Sequence, residues 1–237
     1  MEKLLDEIES YWSTRTEGYS EVNHKELAGT QKNAWLKVLT SQFPDKPKEE
    51  IRILDIGTGP GFFPVILAEA GYHVDAVDYT EGMLEKAKEN AGDLCRNIRF
   101  LRMDAQKLDF EDNTFDVVIS RNLTWNLEHP DVAYREWVRV LKVGGRLLNF
   151  DANWYGYLYE EEQRKAYEND RKNVENNSLD DHYLCTDIER MERIALQVPL
   201  SKISRPQWDV KTLREAGLLG IRTDTEIWKT VWSEEER

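Results

Sequence analysis

Three glycines at alternate positions, Gly57, Gly59 and Gly61, form the segment of this sequence best suited to binding a ligand. They directly follow an apolar segment at 51–56, and a helical pattern begins at Phe62. Glycine adopts backbone angles closed to other residues, and its lack of a side chain lets a ligand approach the main chain. In an open α/β sheet, ligands bind beyond the carboxyl ends of the strands, where this turn is expected to lie. The pattern therefore predicts a cofactor site.

An acidic residue, Asp78, ends the second predicted strand, 17 residues after Gly61. Its two carboxylate oxygens can accept hydrogen bonds from both hydroxyls of a ribose. A nicotinamide dinucleotide site would also use such an acid, but its G-x-G-x-x-G pattern requires a glycine where this chain has Phe62. The observed spacing is G-x-G-x-G, with no evident provision for a pyrophosphate at the helix N-terminus. These residues favour a nucleotide-type cofactor other than a dinucleotide.

Strands and helices alternate through residues 51–151, and these elements must position the turn. Strands are predicted at 51–56, 73–77, 98–102, 115–120 and 146–150, and helices at 62–70, 82–90 and 130–141. Short apolar strands separated by helices are typical of a parallel sheet covered on both faces. The sequence therefore predicts an α/β core whose glycine turn lies at the carboxyl end of the first strand.

Residues 1–50 precede this alternation and are predicted to form an N-terminal helical lid. Apolar residues at helical spacing predict helices at 1–13 and 24–43, joined by a polar loop at 13–23. A charged, proline-bearing linker at 44–50 ends the second helix. Neither helix has a place in the sheet, so both are expected to pack over the core.

Residues 152–205 interrupt the alternation and are predicted to form an inserted helical cap. They are rich in tyrosine and charge, with helical spacing over two stretches. The core is expected to resume in residues 206–237 with a helix and two strands, near 220–225 and 226–231. Two adjoining strands of this kind predict an antiparallel C-terminal hairpin at the edge of the sheet.

Composition limits the classes of partner. The formal net charge of −13, without a Lys/Arg-rich run, disfavours binding to a nucleic-acid backbone. The two cysteines, Cys95 and Cys185, are far apart and in no C-x-x-C pair, which disfavours a disulfide framework or a metal site. No signal peptide or membrane-length apolar run is expected. We expect a cytoplasmic protein with no nucleic-acid, membrane or metal partner; its oligomeric state is left open.

Five motifs, in matching order and spacing, resemble class I S-adenosylmethionine-dependent methyltransferases. They are L-D-I-G-T-G-P-G at 54–61, V-D-A-V-D-Y-T-E-G-M-L-E-K-A at 74–87, D-A-Q-K-L-D-F at 104–110, F-D-V-V-I-S-R-N at 115–122 and R-V-L-K-V-G-G-R-L at 139–147. The similarity is greatest to the type 11 group, which includes quinone-biosynthesis methyltransferases. It implies a Rossmann-like three-layer sandwich that binds S-adenosylmethionine and releases S-adenosylhomocysteine.

The resemblance also implies which residues bind the cofactor. They are Asp55, Gly57, Thr58, Gly59, Gly61, Asp78, Tyr79, Met83, Asp104, Ala105 and Asn122. The glycines and Asn122 would line the methionine part, Asp78 would bind the ribose, and Asp104 would accept the adenine amino group. Met83 would lie against the adenine beside Tyr79 and the Ala105 backbone, and Asp55 would orient the loop or bind the amino group. The alternatives are that Met83 only packs on a helix face and that Asp55 caps the turn.

The methyl acceptor would bind to residues outside the shared core. The candidates are Tyr19, Trp125, Asn126, Trp154 and Tyr157. Aromatic side chains can exclude water and can face a sulfonium or an amine through cation–π contact. Alternatively, they only attach the cap to the core. Tyr19 and Trp125 are preferred, because Tyr19 lies between two helices outside the sheet and Trp125 lies just past the fourth strand.

Methyl transfer by in-line displacement relies mainly on positioning and desolvation of the nucleophile. A base is needed only if the small-molecule acceptor arrives protonated. His24 and His182 are the candidate bases, and for each the alternative is a solvated histidine. A chain that binds S-adenosylmethionine without transferring the methyl group, as a sensor or partner subunit, is the alternative function.

Overall fold

A five-stranded parallel sheet forms the centre of the computed structural model, which describes residues 4–177 and 186–233. The strands are β1 (Arg52–Ile56), β2 (His73–Asp78), β3 (Ile98–Arg102), β4 (Phe115–Arg121) and β5 (Leu141–Phe150). Their order is β3-β2-β1-β4-β5, and each neighbouring pair is parallel. The chain reverses its direction of winding between β1 and β4, so a crevice is expected at their carboxyl ends.

Helices cover both faces of this sheet. They are α1 (Leu4–Ala28), α2 (Gln31–Thr40), α3 (Phe62–Glu69), α4 (Glu81–Ala91), α5 (Pro130–Val140), α6 (Glu161–Asn177), α7 (Ile188–Ala195), α8 (Gln207–Glu215) and α9 (Trp228–Val231). Leu54 and Val118 pack with α5 and α8, whereas Ile53 and Val117 pack with α2 and α3. Successive strand side chains point to opposite faces, so strands that are apolar throughout are buried on both sides. The predicted α/β architecture with a parallel sheet is confirmed.

The N-terminal segment forms one long helix, α1, where the polar loop at 13–23 was predicted. The buried face of α1 is largely polar and includes Arg15, Ser20, Asn23 and Glu26. A helix is recognised in sequence by apolar residues at helical spacing, and that signal is weak when the buried face is polar. The loop prediction was therefore wrong.

The predicted antiparallel hairpin at the C-terminus was also wrong. Residues 222–226 are exposed and lie outside any strand, and α9 follows them. Ile227 and the buried Val231 are four residues apart and both pack on the face covered by α2 and α3. A short apolar run fits strand and helix periods equally well, and here the packing selected the helical spacing. As a result, β5 forms one edge of the five-stranded sheet.

The predicted cap segment contains α6 and α7 and shares an aromatic-rich cluster with α1. Tyr11 of α1, Trp125 of the core, Tyr155 and Met191 are buried together there. Trp125 follows β4 by four residues. The cap segment and α1 therefore meet beyond the carboxyl end of β4, which is where an α/β sheet binds its ligand.

Candidate functional site

The glycine turn joins β1 to α3 and is held against β2. The backbone N–H groups of Gly57 and Thr58 both donate to the Val77 carbonyl, at 2.8 and 3.0 Å. Gly57 and Gly61 have φ angles of 71° and 93°, in the left-handed region that favours glycine. A Cβ on Gly57 would lie 2.7 Å from the Leu123 side chain, so this position also lacks space for a side chain.

Asp78, at the end of β2, is attached to the glycine turn through its carboxylate. Oδ2 accepts the Gly59 N–H at 2.9 Å, and Oδ1 accepts the Thr80 N–H at 2.8 Å. An ionised carboxylate has about four lone-pair sites, and the Thr80 hydroxyl and the Tyr79 N–H also face this one. The arrangement fixes an acceptor group at the carboxyl end of β2, beside the glycine turn.

Asp55, the second acid of this region, is buried at 2% exposure in β1. Burial, together with the nearby charge of Asp78, raises the pKa of Asp55 to about 7. Burial also raises the pKa of Asp78, while the backbone N–H groups of Thr80 and Gly59 oppose that change. Thr58 faces Asp55, and its buried hydroxyl has no hydrogen-bond partner of normal geometry. The site thus offers two neighbouring carboxylates and a hydroxyl that suit a cationic, polar ligand.

The residues predicted to surround adenine lie at the carboxyl ends of β2 and β3. The Met103 N–H donates to the Asp78 carbonyl at 3.0 Å, which brings the segment after β3 beside β2. Asp104 Oδ1 accepts the N–H of Gln106 at 2.9 Å, and the Ala105 carbonyl accepts Trp137 Nε1–H at 2.9 Å. These contacts fix the loop that carries Asp104 and Ala105.

Tyr79 and Met83 have different environments. The Arg102 guanidinium lies over the Tyr79 ring, 5.3 Å from its centroid, and Tyr79 is half-buried. Met83 is 2% exposed on α4, so it packs as a core residue in this structure. Tyr79 is therefore the more accessible of the two for contact with an adenine ring.

Asn122, directly after β4, is fixed by its backbone. Its φ is 55°, its N–H donates to the Phe150 carbonyl at 2.8 Å, and its carbonyl accepts Trp125 Nε1–H at 3.0 Å. Asparagine tolerates this left-handed conformation better than most residues. Its side chain faces the Tyr19 hydroxyl of α1. Asn122 thus joins the core to α1 at the expected methionine end of the site.

Helix α1 lies across the glycine turn. A Cβ on Gly59 would be 3.5 Å from Tyr19 Cε1, so the ring covers this glycine. Asn90 of α4 donates to the Pro60 carbonyl at 2.9 Å and to the Ser20 hydroxyl at 3.1 Å. One side chain therefore connects α1, α4 and the glycine turn.

An ion pair that the sequence did not indicate fastens the end of α1 to β4. Arg121 donates to both carboxylate oxygens of Glu26, at 3.1 Å for Nη1 and with a shorter contact for Nη2. The guanidinium also lies 5.1 Å from the Trp35 ring and 5.0 Å from the Phe62 ring. The partners are 95 residues apart, so local pattern could not pair them. The sequence offered one local signal: Arg121 is a charged residue directly after the apolar strand predicted at 115–120.

Most predicted acceptor residues are buried in packing contacts. Trp125, Asn126 and Tyr157 are 5%, 4% and 7% exposed, and Trp125 stacks on Tyr155 at 5.0 Å between centroids. Trp154 is 41% exposed. Trp125 and Asn126 share the short 3₁₀ turn Thr124–Asn126 beyond β4. This turn lies just beyond the carboxyl end of β4, and binding of the acceptor by its residues, as by Trp154, stays a prediction.

One of the two candidate bases, His24, lies within the described residues. His24 is on the exposed face of α1, and His182 lies outside the described residues. Within residues 4–177 and 186–233, no group of three or more His, Cys, Asp or Glu side chains could hold a metal ion. None of the helices in those same residues is long and apolar enough to cross a membrane.

Comparison with known proteins identifies the core. Residues 54–149 match the family model of the methyltransferase domain. A demethylmenaquinone methyltransferase of Clavibacter sepedonicus is 41% identical over 98 residues, which are 41% of this chain and 39% of that protein. The enzyme of the same name from Renibacterium salmoninarum is 31% identical over 148 residues, 62% of this chain and 60% of that protein. The matches thus span between 39% and 60% of the length of these relatives.

A solved structure from Methanococcus maripaludis, described as a candidate S-adenosylmethionine-dependent methyltransferase, has the same fold. It is 22% identical, with a TM-score of 0.56 over 86% of this chain and 82% of that chain. The parallel sheet, the glycine turn and the acidic ends of its strands are the features that the sequence resemblance implies for a class I S-adenosylmethionine-dependent methyltransferase domain. Residues 54–149 match the methyltransferase domain model, and the curated relatives that they resemble are enzymes of quinone biosynthesis.

Proposed function

We propose that this protein transfers the methyl group of S-adenosylmethionine to a small-molecule acceptor. The observation that carries the proposal is the attachment of Asp78 to the Gly59 backbone, which holds a carboxylate beside the glycine turn at the carboxyl end of β2. This arrangement fits a ribose beside a closely approached glycine turn. The core family and its relatives support the same activity.

In this proposal the cofactor lies along the carboxyl ends of β1 to β4. Asp78 binds the ribose, Asp104 receives the adenine amino group, and Tyr79 packs against the adenine ring. The glycine turn and Asn122 face the methionine part. The buried carboxylate of Asp55 attracts the positive charge of its amino group, because an opposite charge favours the ionised acid.

Catalysis then depends on positioning the acceptor and excluding water. Helix α1 and the cap segment close over the carboxyl end of β4, and water exclusion strengthens electrostatic interactions within the site. In this proposal the Tyr19 hydroxyl, which faces Asn122, hydrogen bonds to the acceptor. No base is required if the acceptor arrives deprotonated.

We propose a flat aromatic ring as the acceptor, with Tyr19, Trp125 and Asn126 contributing to its binding. Two observations support this choice. Aromatic side chains surround the turn beyond β4, and the relatives are named for methylation of demethylmenaquinone. A cytoplasmic location and the lack of a nucleic-acid partner remain predictions from composition.

Transfer is tested directly with methyl-labelled S-adenosylmethionine and a reduced short-chain demethylmenaquinone, followed by extraction of the quinone. We expect label in the quinone and formation of S-adenosylhomocysteine. A small-metabolite extract serves as a second acceptor pool. Cofactor binding without transfer to either would contradict methyl transfer and favour the sensor function.

A further inference from the structure

A buried cluster of charged side chains lies next to the turn Thr124–Asn126, outside the expected cofactor contacts. Arg205 Nη1 lies 2.9 Å from Asp151 Oδ2. The same guanidinium binds both carboxylate oxygens of Asp209, at 2.9 Å from Nε to Oδ2 and 2.6 Å from Nη2 to Oδ1. The three side chains are 8%, 1% and 12% exposed, respectively. The cluster joins the end of β5 to α8.

Two members of the cluster hold the turn directly. Asp151 Oδ2 accepts the backbone N–H of Trp125 at 2.8 Å and also accepts the Thr124 hydroxyl. Arg205 Nη2 donates to the Thr124 hydroxyl oxygen at 3.0 Å, and Asn149 Nδ2 donates to it at 3.1 Å. A hydroxyl has one donor and two acceptor sites, so the hydrogen-bonding capacity of Thr124 is filled.

Stability alone is a weak reason for such a cluster. Removing charges from water is costly, and well-packed apolar residues often stabilise a protein as well as a buried ion pair does. Directional hydrogen bonds, by contrast, define where the turn lies. We propose that Asp151 and Arg205 are positioning residues that fix Trp125 and Asn126 against the acceptor. This inference rests on the proposed function.

The position of the turn matters because it adjoins the expected methionine end of the cofactor. The Trp125 indole donates to the Asn122 carbonyl at 3.0 Å, so a shift of the turn would move both residues. A misplacement of about 1 Å costs roughly 10²-fold in rate when reacting groups must be aligned. Asp151 and Arg205 would therefore affect transfer more than cofactor binding.

The test compares Asp151→Asn with Asp209→Asn. Each variant removes one carboxylate charge beside Arg205, but Asp209 contacts Arg205 and the Tyr134 hydroxyl instead of the turn. At a temperature where both variants are folded, kcat/KM for reduced demethylmenaquinone should fall about 10- to 100-fold in Asp151→Asn. The Kd for S-adenosylhomocysteine should stay within about twofold, because the contacts altered are those of Asp151 with the turn and with Arg205, outside the expected cofactor contacts. Equal losses of kcat/KM in the two variants would overturn the proposal.

Hydrogen exchange at the Trp125 amide supplies a readout that needs no turnover. Exchange should be at least about tenfold faster in Asp151→Asn. The reason is that loss of the hydrogen bond to a charged acceptor lowers the free energy of opening at this amide by about 1.5 kcal/mol or more. It should be unchanged in Asp209→Asn. If the wild type shows no transfer, the proposed function fails, while equal Trp125 exchange in both variants still overturns the positioning role. Should Asp151→Asn not fold, Thr124→Val removes the contact from the turn, with Thr124→Ser as its control.

Discussion

The Tyr19 ring lies over Gly59, 3.5 Å from the position that a Cβ on this glycine would take. Tyr19 belongs to α1, outside the matched methyltransferase domain, whereas Gly59 is at the centre of its cofactor turn. An N-terminal helix therefore covers the site that the core builds. The contact joins the matched methyltransferase domain to α1, a helix outside that domain.

The first prediction separates the ring of Tyr19 from its hydroxyl. Tyr19→Phe keeps the ring over Gly59 and removes only the hydroxyl that faces Asn122 and, in the proposal, hydrogen bonds to the acceptor. A typical hydrogen bond contributes about 0.5–1.5 kcal/mol, so kcat/KM for the acceptor should fall roughly 3- to 10-fold. The Kd for S-adenosylhomocysteine, measured by calorimetry, should change little. Tyr19→Ala should weaken both steps, and equal effects of the two variants on both steps would contradict the assignment.

The second prediction concerns the ribose. Asp78→Asn replaces one carboxylate oxygen with an NH2 group, which cannot accept a hydrogen bond, and removes the negative charge. Since a hydrogen bond to a charged group contributes about 1.5–3 kcal/mol, the Kd for S-adenosylhomocysteine should rise roughly 10- to 100-fold. Asp75→Asn, on the same strand and paired with the exposed Arg99, is the matched control and should leave Kd unchanged. An Asp78→Asn protein with wild-type affinity would show that the ribose is bound elsewhere.

The third prediction is a pH dependence caused by Asp55. Because its pKa is raised to about 7 from 3.8, the folded protein binds more protons than the unfolded chain between these values. Stability should therefore decrease as pH rises from about 4 to about 7, and the loss should be complete above that range. Asp55→Asn cannot ionise, so its Tm should exceed that of the wild type at pH 8, with a smaller difference at pH 5. Parallel Tm profiles for the two proteins would refute this role.

The fourth prediction tests how α1 is fastened. Glu26→Gln leaves the Arg121 guanidinium without its carboxylate, in a pair whose side chains are 8% and 22% exposed. Breaking a buried pair by removing one partner costs about 3–5 kcal/mol, so urea denaturation should show a loss near the lower value. The control is Glu17→Gln, whose carboxylate pairs with Lys86 at 78% exposure and should contribute less than about 1 kcal/mol. Similar losses in both variants would show that the buried pair does not fasten α1.

The core was predictable because its signals are local. Strand β3 begins and ends where it was predicted, at 98–102, and the glycine turn and Asp78 lie where spacing placed them. A strand buried on both faces must be apolar throughout, and a turn with positive φ selects glycine. These constraints act within a few residues, so one sequence suffices to show them.

The closure of the site was not predictable for physical reasons. Helix α1 buries Ser20, Asn23 and Glu26, so its inner face lacks the apolar repeat by which helices are recognised. The pairing of Glu26 with Arg121 depends on a separation of 95 residues, which only the assembled fold defines. The contact between Asp151 and Arg205 likewise joins residues that are far apart in the sequence and meet only in the assembled fold. Polar contacts over long separations leave no periodic signal in a sequence.

The central claim is that the core binds the methyl donor in the crevice above the glycine turn. Calorimetric titration of S-adenosylhomocysteine into the wild-type protein tests it most directly, because it requires no knowledge of the acceptor. The account predicts one site per chain with Kd on the order of 10 µM, within the usual range for enzyme ligands, and a large loss of affinity in Asp78→Ala. An absence of binding to the wild type at high micromolar concentration, for both S-adenosylhomocysteine and S-adenosylmethionine, would contradict it.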